Sequence, residues 1–335
     1  MPDSKPAVSQ TLGSGRITWK EVAELAGVSQ SAVSRTFTAG ASVSPKTRAK
    51  MEAAAKTLGY RPTVLPSILR GGESSIVAVV VGGFYNPFFA SALDLIVERL
   101  ASEGKQTMLV KTDNDTSFDH LVEDLSRYRV DAVVSALSIA SEETARSLSA
   151  YRIPIVALNS DHSGGWLRTI SSGNRSAGQH AHRLLTERGR SKLAYFSGTG
   201  STPDRGREEG FIAAGIECGQ EIELVPGGFD YHAGRAAAVS RFTKGAIPDG
   251  IFCVNDLVAC GVLDALRYDF GVRVPEEVSV IGYDNIPMSE WAPYMLTTFD
   301  QDLSKITEMA LQLMKPDTDV TSITVEPRLV QRLTL

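Results

Sequence analysis

Apolar residues follow two rhythms along this chain: helical spacing over the first sixty positions, and short buried runs from residue 76 onward. Thr18-x-x-Glu21 reads as a capping box, with a carboxylate reaching back to the start of a helix. Val22, Leu25 and Ala26 then fall on one helical face, and Gly27-Val28 breaks the helix. Ser29 is placed to cap a second helix in which Ala32, Val33 and Phe37 point inward. Gln30, Ser31, Ser34 and Arg35 are left facing out, three short polar groups and one guanidinium. Ser44 caps a third helix, Pro45 takes its first position and Gly59 ends it. Phe37, Val43, Met51, Ala54 and Leu58 are the expected core of this small bundle. The pattern predicts a helix-turn-helix over residues 17–60; the bland alternative is an ordinary helical hairpin.

Residues 1–16 mix Ser, Gly and Pro with scattered charge and read as a disordered tail. Residues 61–75, RPTVLPSILRGGESS, read as a hinge or linker with a possible short helix capped at Thr63. Pro66 would then stand in its first turn, where a missing amide costs no hydrogen bond. From Ile76 apolar runs predict strands at 76–81, 107–110, 131–137, 153–158, 192–197, 251–255 and 278–283, with helices between them. Strand, helix, strand at this spacing means parallel sheets joined by crossovers. Some ten such strands exceed what one open sheet comfortably holds. Two α/β lobes with a ligand cleft at the strand carboxyl ends are therefore expected.

Charge changes the picture. Residues 1–72 carry ten Lys or Arg against four acids, a net +6, while the whole chain carries −5 and the remainder therefore −11. A basic head on an acidic body suits a protein that touches phosphate with its head alone. No run is apolar enough to span a bilayer, and the N-terminus has no signal-peptide core, so a cytoplasmic, nucleoid-associated protein is expected. Cys218, Cys253 and Cys260 form no C-x-x-C pair and read as reduced thiols.

With head, linker and double α/β body in view, the chain resembles the LacI/GalR (lactose-repressor) family of bacterial transcription regulators. The head motif is VAELAGVSQSAVSRTF followed by VSPKTRAKMEAAAKTLGYRP. Behind it come NPFF, RGREEGF, VNDLVACG, VSVIGYDN and LTTFDQD, in that order. The resemblance implies an N-terminal three-helix DNA-binding domain, a hinge at 61–75, and a two-lobed periplasmic-binding-protein-like domain at 76–335. Lobe 1 is expected at about 76–173 and 301–317, and lobe 2 at about 174–300 and 318–335. Gln30 and Ser31 match the positions that select the operator; Ser29, Ser34 and Arg35 match more general groove and phosphate contacts. Thr18, Thr38, Ser44 and Thr47 match phosphate-contacting positions, and Leu69 the leucine wedged into the minor groove. The resemblance places Phe88, Phe89, Asn159, Arg207, Phe229, Asn255 and Asp284 around the effector. Aromatic faces and a few fixed donors and acceptors suit a sugar or sugar derivative. Helix capping is the competing reading for Asn255 and Asp284. Pro66 and Asn159 depart from the family, which often carries alanine and aspartate there.

The expected partners are pseudo-palindromic operator DNA, a small carbohydrate effector and a second copy of the chain. The homodimer is expected because no heptad-bearing helix follows the last apparent strand. No membrane, cofactor or metal is expected. SGTGSTPDRG fails the dinucleotide fingerprint at its third glycine, and His180 and His182 splay apart at i, i+2. No nucleophile elbow, phosphate loop or zinc-protease motif suggests an enzyme. A solute-binding protein of the same two-lobed fold remains the alternative; it would have no use for a basic helical head.

Overall fold

The computed structural model describes residues 17–36, 42–60, 73–82, 86–111, 121, 124–125, 127–136, 142–160, 162–198 and 200–335. The chain divides into two compact units, Met1–Ser74 and Ser75–Leu335.

The first unit holds α1 (Trp19–Ala26), α2 (Gln30–Thr36) and α3 (Pro45–Leu58). The Glu21 carboxylate accepts from the Thr18 amide at 2.7 Å and the Thr18 hydroxyl at 2.8 Å. Gly27 turns the chain out of α1 in the left-handed region, at φ 63°. Ser44 caps α3 by accepting from the Thr47 amide at 3.2 Å, with Pro45 behind it. Val22, Ala23, Val33, Met51, Ala54 and Ala55 make the buried core. Leu25 departs from expectation: it is 54% exposed, and Ala23 takes the buried place beside Val33 and Met51. An eight-residue helix pressed by two neighbours buries the flank both can reach, which here runs through Val22 and Ala23. Arg48 donates to the Thr36 carbonyl at 3.0 Å, tying α3 to the end of α2. Phe37 and the hinge residues Thr63, Pro66 and Leu69 lie outside the described residues.

The second unit contains two six-stranded sheets. β1 (Ile76–Val81), β2 (Gln106–Lys111), β3 (Ala132–Ser135), β4 (Ile155–Leu158), β5 (Leu167–Ser172) and β11 (Ser322–Val325) build the first. Its order is β11-β5-β4-β3-β1-β2, and every pairing is parallel. β1 shows why a continuous apolar run is needed. Val77, Val79 and Val81 enter one core, while Ala78 and Val80 enter another on the opposite face. α4 (Pro87–Ser102) follows β1, and α5 (Glu142–Ala150) precedes β4.

The second sheet comprises β6 (Leu193–Ser197), β7 (Ile222–Pro226), β8 (Gly250–Cys253), β9 (Ser279–Tyr283), β10 (Thr297–Asp300) and β12 (Arg328–Val330). Its order is β12-β10-β9-β8-β6-β7, with β12 alone antiparallel. Among its helices are α6 (Asn174–Glu187), α7 (Thr202–Glu217), α8 (Tyr231–Phe242) and α9 (Asp256–Asp264). Its core is aromatic, with Tyr195, Phe196, Phe211, Phe252, Tyr283 and Phe299 all buried.

The chain crosses between sheets after β5, after β10 and after β11. Helix α10 (Leu303–Leu313) packs Ile306, Ala310 and Leu313 into the first lobe. The assignment of 318–335 wholly to the second lobe needs correction. Ser322–Val325 pairs with Thr169–Ser172 of β5, so the final crossing comes after Val325. The ITVEPRLV segment reads as one strand because Glu326-Pro327 is too short a break for hydrophobicity alone to register.

Candidate effector cleft and DNA-binding face

Three polar crossings and the strand carboxyl ends bring the cleft residues together. Asn86 ends the β1–α4 connection and caps α4, its Oδ1 accepting from the Phe88 amide at 3.0 Å. That cap, with Pro87 behind it, fixes Phe88 and Phe89 on the first turn. Their rings meet edge to face at 5.5 Å, Phe88 buried and Phe89 half-buried. Asn86 also reaches across the lobes, its Nδ2 donating to Asp284 Oδ2 at 2.9 Å.

Asp284 leaves β9 at φ 112°, a strained backbone for any residue with a Cβ. Its amide is held by the Phe299 carbonyl at 2.9 Å. The second carboxylate oxygen accepts from Gln301 Nε2 at 2.7 Å. Burial pushes its pKa above the usual carboxylate value, while Arg207 and the Asn86 and Gln301 amides pull against that. Asp284 does not cap a helix; it bridges the lobes.

Asn255 takes the competing role foreseen for it. Its Oδ1 accepts from the Val258 amide at 2.9 Å at the start of α9, and its Nδ2 donates to the Phe229 carbonyl at 2.9 Å. The same bond fixes the segment carrying Phe229, whose ring lies over Gly198. A Cβ at Gly198 would stand 2.3 Å from that ring, so only glycine admits the approach.

Arg207, on α7, is 5% exposed. Its Nε donates to Asn174 Oδ1 at 2.9 Å, one Nη donates to the Val254 carbonyl, and the guanidinium sits 3.7 Å from the Tyr283 ring centre. Asn174 in turn donates to Asn159 Oδ1 at 3.3 Å, which also accepts from the Ser172 amide at 3.1 Å. Asn159 is therefore anchored through its oxygen, at φ 54°, with its amide nitrogen as the remaining donor. Tyr283 and Ser172 share a 2.6 Å hydrogen bond across the first crossing.

One chain of hydrogen bonds thus runs from Asn159 through Asn174 to Arg207, a second from the Phe88 amide through Asn86 to Asp284 and Gln301, and a third joins Phe229 to Asn255, whose neighbour Val254 holds Arg207. The sequence reading missed Asn86, Asn174, Tyr283 and Gln301. Asn86 had a signal, an Asn-Pro pair opening a helix; Gln301 sat unmarked between two aspartates. Asp256 was also missed. It is fully buried, accepting from the Ile286 amide at 2.9 Å and from the Thr298 hydroxyl, and burial raises its pKa well above normal. A cavity of about 540 Å³ opens at the first crossing, beside Ser172–Ser176, Arg205 and Glu326.

On the head, Thr18, Ser29, Arg35 and Ser44 are exposed and Thr47 is half-buried. Ser44 and Thr47 hydroxyls lie 2.8 Å apart, a pair that also makes the α3 cap. Gln30, Ser31 and Ser34 belong to α2; their side chains, with Thr38 and Leu69, lie outside the described residues. Among the described residues no His, Cys, Asp or Glu group is arranged for a metal, and no helix is long and apolar enough to cross a membrane. His180 and His182 face different rings, Phe299 and Phe211.

A helix-turn-helix unit with a basic surplus, followed by a two-lobed cleft receptor, defines a ligand-responsive DNA-binding protein. Comparison with known proteins agrees. Residues 18–63 match the family model for bacterial regulatory proteins of the lacI family, and residues 182–335 that for a periplasmic binding protein-like domain. The ribose operon repressor of Escherichia coli (strain K12) is 29% identical over 303 residues, covering 89% of this chain and 92% of the relative. A lac repressor dimer bound to operator and an anti-inducer has the same fold, with TM-score 0.86 at 24% identity over 96% of this chain and 99% of that one. The transcriptional regulator CelR in complex with cellobiose is 26% identical, with TM-score 0.68 over 96% of this chain and 100% of that one. The chain belongs to the LacI/GalR family of bacterial transcription regulators. It is a sequence-specific DNA-binding regulator rather than an enzyme.

Proposed function

We propose that the protein is a repressor that binds a pseudo-palindromic operator as a homodimer and is controlled by a carbohydrate held between the lobes of Ser75–Leu335. The supporting observation is the cleft itself. Phe88, Phe89 and Phe229 offer aromatic faces, and Asn159, Arg207, Asn255 and Asp284 offer fixed polar groups from both lobes. A ligand seated there touches both lobes and biases the angle between them, which couples cleft to hinge as a free energy. The ribose operon repressor and the cellobiose complex of CelR point the same way. In this reading Gln30 and Ser31 select the operator, Ser29, Ser34 and Arg35 make more general groove and phosphate contacts, Thr18, Thr38, Ser44 and Thr47 contact phosphate, and Leu69 wedges the minor groove. Two heads on a dimer then require half-sites one or more helical turns apart. Operator binding puts the protein on the bacterial nucleoid.

Selection of binding sites from random duplexes tests this, using the full-length protein with and without ribose, glucose, cellobiose and lactose. The expected outcome is a dyad-symmetric site whose occupancy changes with one sugar and falls steeply with salt. Enrichment of no dyad, or retention of DNA by Arg35→Ala at parental affinity and selectivity, refutes it.

A further inference from the structure

Asp284 is held against the preference of its own backbone. It and Asn285 take consecutive positive φ angles, 112° and 52°, where β9 ends. Residues with a Cβ keep such angles only when the surrounding structure enforces them.

The enforcement arrives through Asn285. Its Nδ2 donates to Asp300 Oδ2 at 3.3 Å. Its Oδ1 accepts from the Ser289 hydroxyl at 3.2 Å and from Arg332 Nη2 at 2.8 Å. Arg332, half-buried near the end of the chain, is itself anchored twice over. Its Nη1 donates to the Leu296 carbonyl at 2.8 Å and to the Ser289 hydroxyl at 3.2 Å, and its amide donates to the Thr297 hydroxyl at 2.9 Å. Ser289, Leu296 and Thr297 are fully buried, so these acceptors form a fixed frame. A planar guanidinium fork can serve Asn285, Ser289 and Leu296 together, which a single ammonium on a flexible stem does poorly. With Asn285 gripped, the carboxylate just before it meets Asn86 of the other lobe at 2.9 Å and Gln301 at 2.7 Å.

We infer that Arg332 is a positioning residue of the cleft: by gripping Asn285 it fixes the strained turn that aims the Asp284 carboxylate at Asn86, and so holds the lobes together. This role belongs to the ligand-free protein and does not depend on what the cleft binds.

The test is lobe separation in the full-length protein, measured by electron–electron double resonance. One spin label goes on Cys218 of the second lobe, which is exposed while Cys253 and Cys260 are buried. The other goes on Glu103→Cys, at an exposed position of the first lobe, with the labelled chain diluted in unlabelled protein. Arg332→Gln should shift the distance distribution in the same sense and by about the same amount as Asn86→Ala. Combining the two should shift it no further, because both act through one bond, whereas independent effects add. Asn285→Gly leaves Arg332 and its buried anchors in place, admits the positive φ and removes only the grip; it should shift the distribution likewise, and it reads the same step should Arg332→Gln fail to fold. Arg190→Gln is the control for loss of stability alone. It removes an arginine that serves Ser279 and the Glu277 carbonyl of the same lobe, and should lower the melting temperature with the distance unmoved. A parental distribution in Asn86→Ala, Arg332→Gln or Asn285→Gly overturns the inference. Additive shifts in the combined variant overturn it too, as does an equal shift in Arg190→Gln, which would mark the effect as general loosening.

Discussion

Asn86→Asp is the sharpest probe of the bond that crosses the cleft. Asn86 does two things at once: Oδ1 caps α4 through the Phe88 amide at 3.0 Å, and Nδ2 donates to Asp284 at 2.9 Å. Aspartate keeps the cap and removes the donor. The lost hydrogen bond to a charged group is worth about 1.5–3 kcal/mol. Two carboxylates about 3 Å apart at an effective dielectric near 20 would repel by roughly 5 kcal/mol. The protein avoids the full cost by parting the lobes or by sharing a proton. A shared proton means a folded-state pKa above the ordinary value of about 3.9. The penalty is thus absent below the unfolded pKa and grows as pH rises through the folded one. Small-angle scattering and thermal melting between pH 4.5 and 8 read this directly. At pH 8 the variant should be wider and less stable, and acidification should restore both. Asn86→Asp combined with Asp284→Asn re-creates an amide–carboxylate pair in reverse and should recover closure. If scattering and melting of the single variant match the parent at pH 8, the lobes do not meet through this contact in solution.

Asp256→Asn should flatten the pH profile of stability. Asp256 is fully buried and its folded pKa is raised well above the unfolded value, so its penalty is absent in acid and develops as pH rises through the folded pKa. Urea midpoints should coincide near pH 4 and favour the variant toward neutrality; parallel profiles would sink this account. Arg207→Lys should abolish detectable sugar binding and lower stability by about 3 kcal/mol, because an ammonium cannot serve Asn174 and Val254 while stacking on Tyr283. Calorimetry showing parental affinity would remove Arg207 from the cleft.

The sequence revealed elements whose driving force is local. Caps at Thr18 and Ser44, the breaks at Gly27 and Gly59, and the valine run of β1 are all legible within a few residues. β10 was missed because its threonines look soluble, yet Thr297 and Thr298 are fully buried, their hydroxyls meeting Arg332 and Asp256. That burial depends on partners distant in the chain, which periodicity does not record. The same limit hid Asn86 and Gln301, whose meaning lies in reaching Asp284. Resemblance supplied the cleft residues; it did not tell that Asn159 and Asn255 are each tied into the scaffold through their own side chains.

The split allegiance of the last two strands bears on how the molecule is made. The first sheet lacks its border at β5 until Ser322–Val325 arrives, and the second lacks its border at β10 until Arg328–Val330 does. Thr334 then bonds to the Val280 carbonyl at 2.7 Å and Leu335 to Arg188 at 3.0 Å. Neither sheet has its full set of strands until this one short stretch of chain is in place, so consolidation of both halves of the receptor unit waits on it. Removing Arg328–Val330 would leave the second sheet with an open flank at β10, exposed to aggregation.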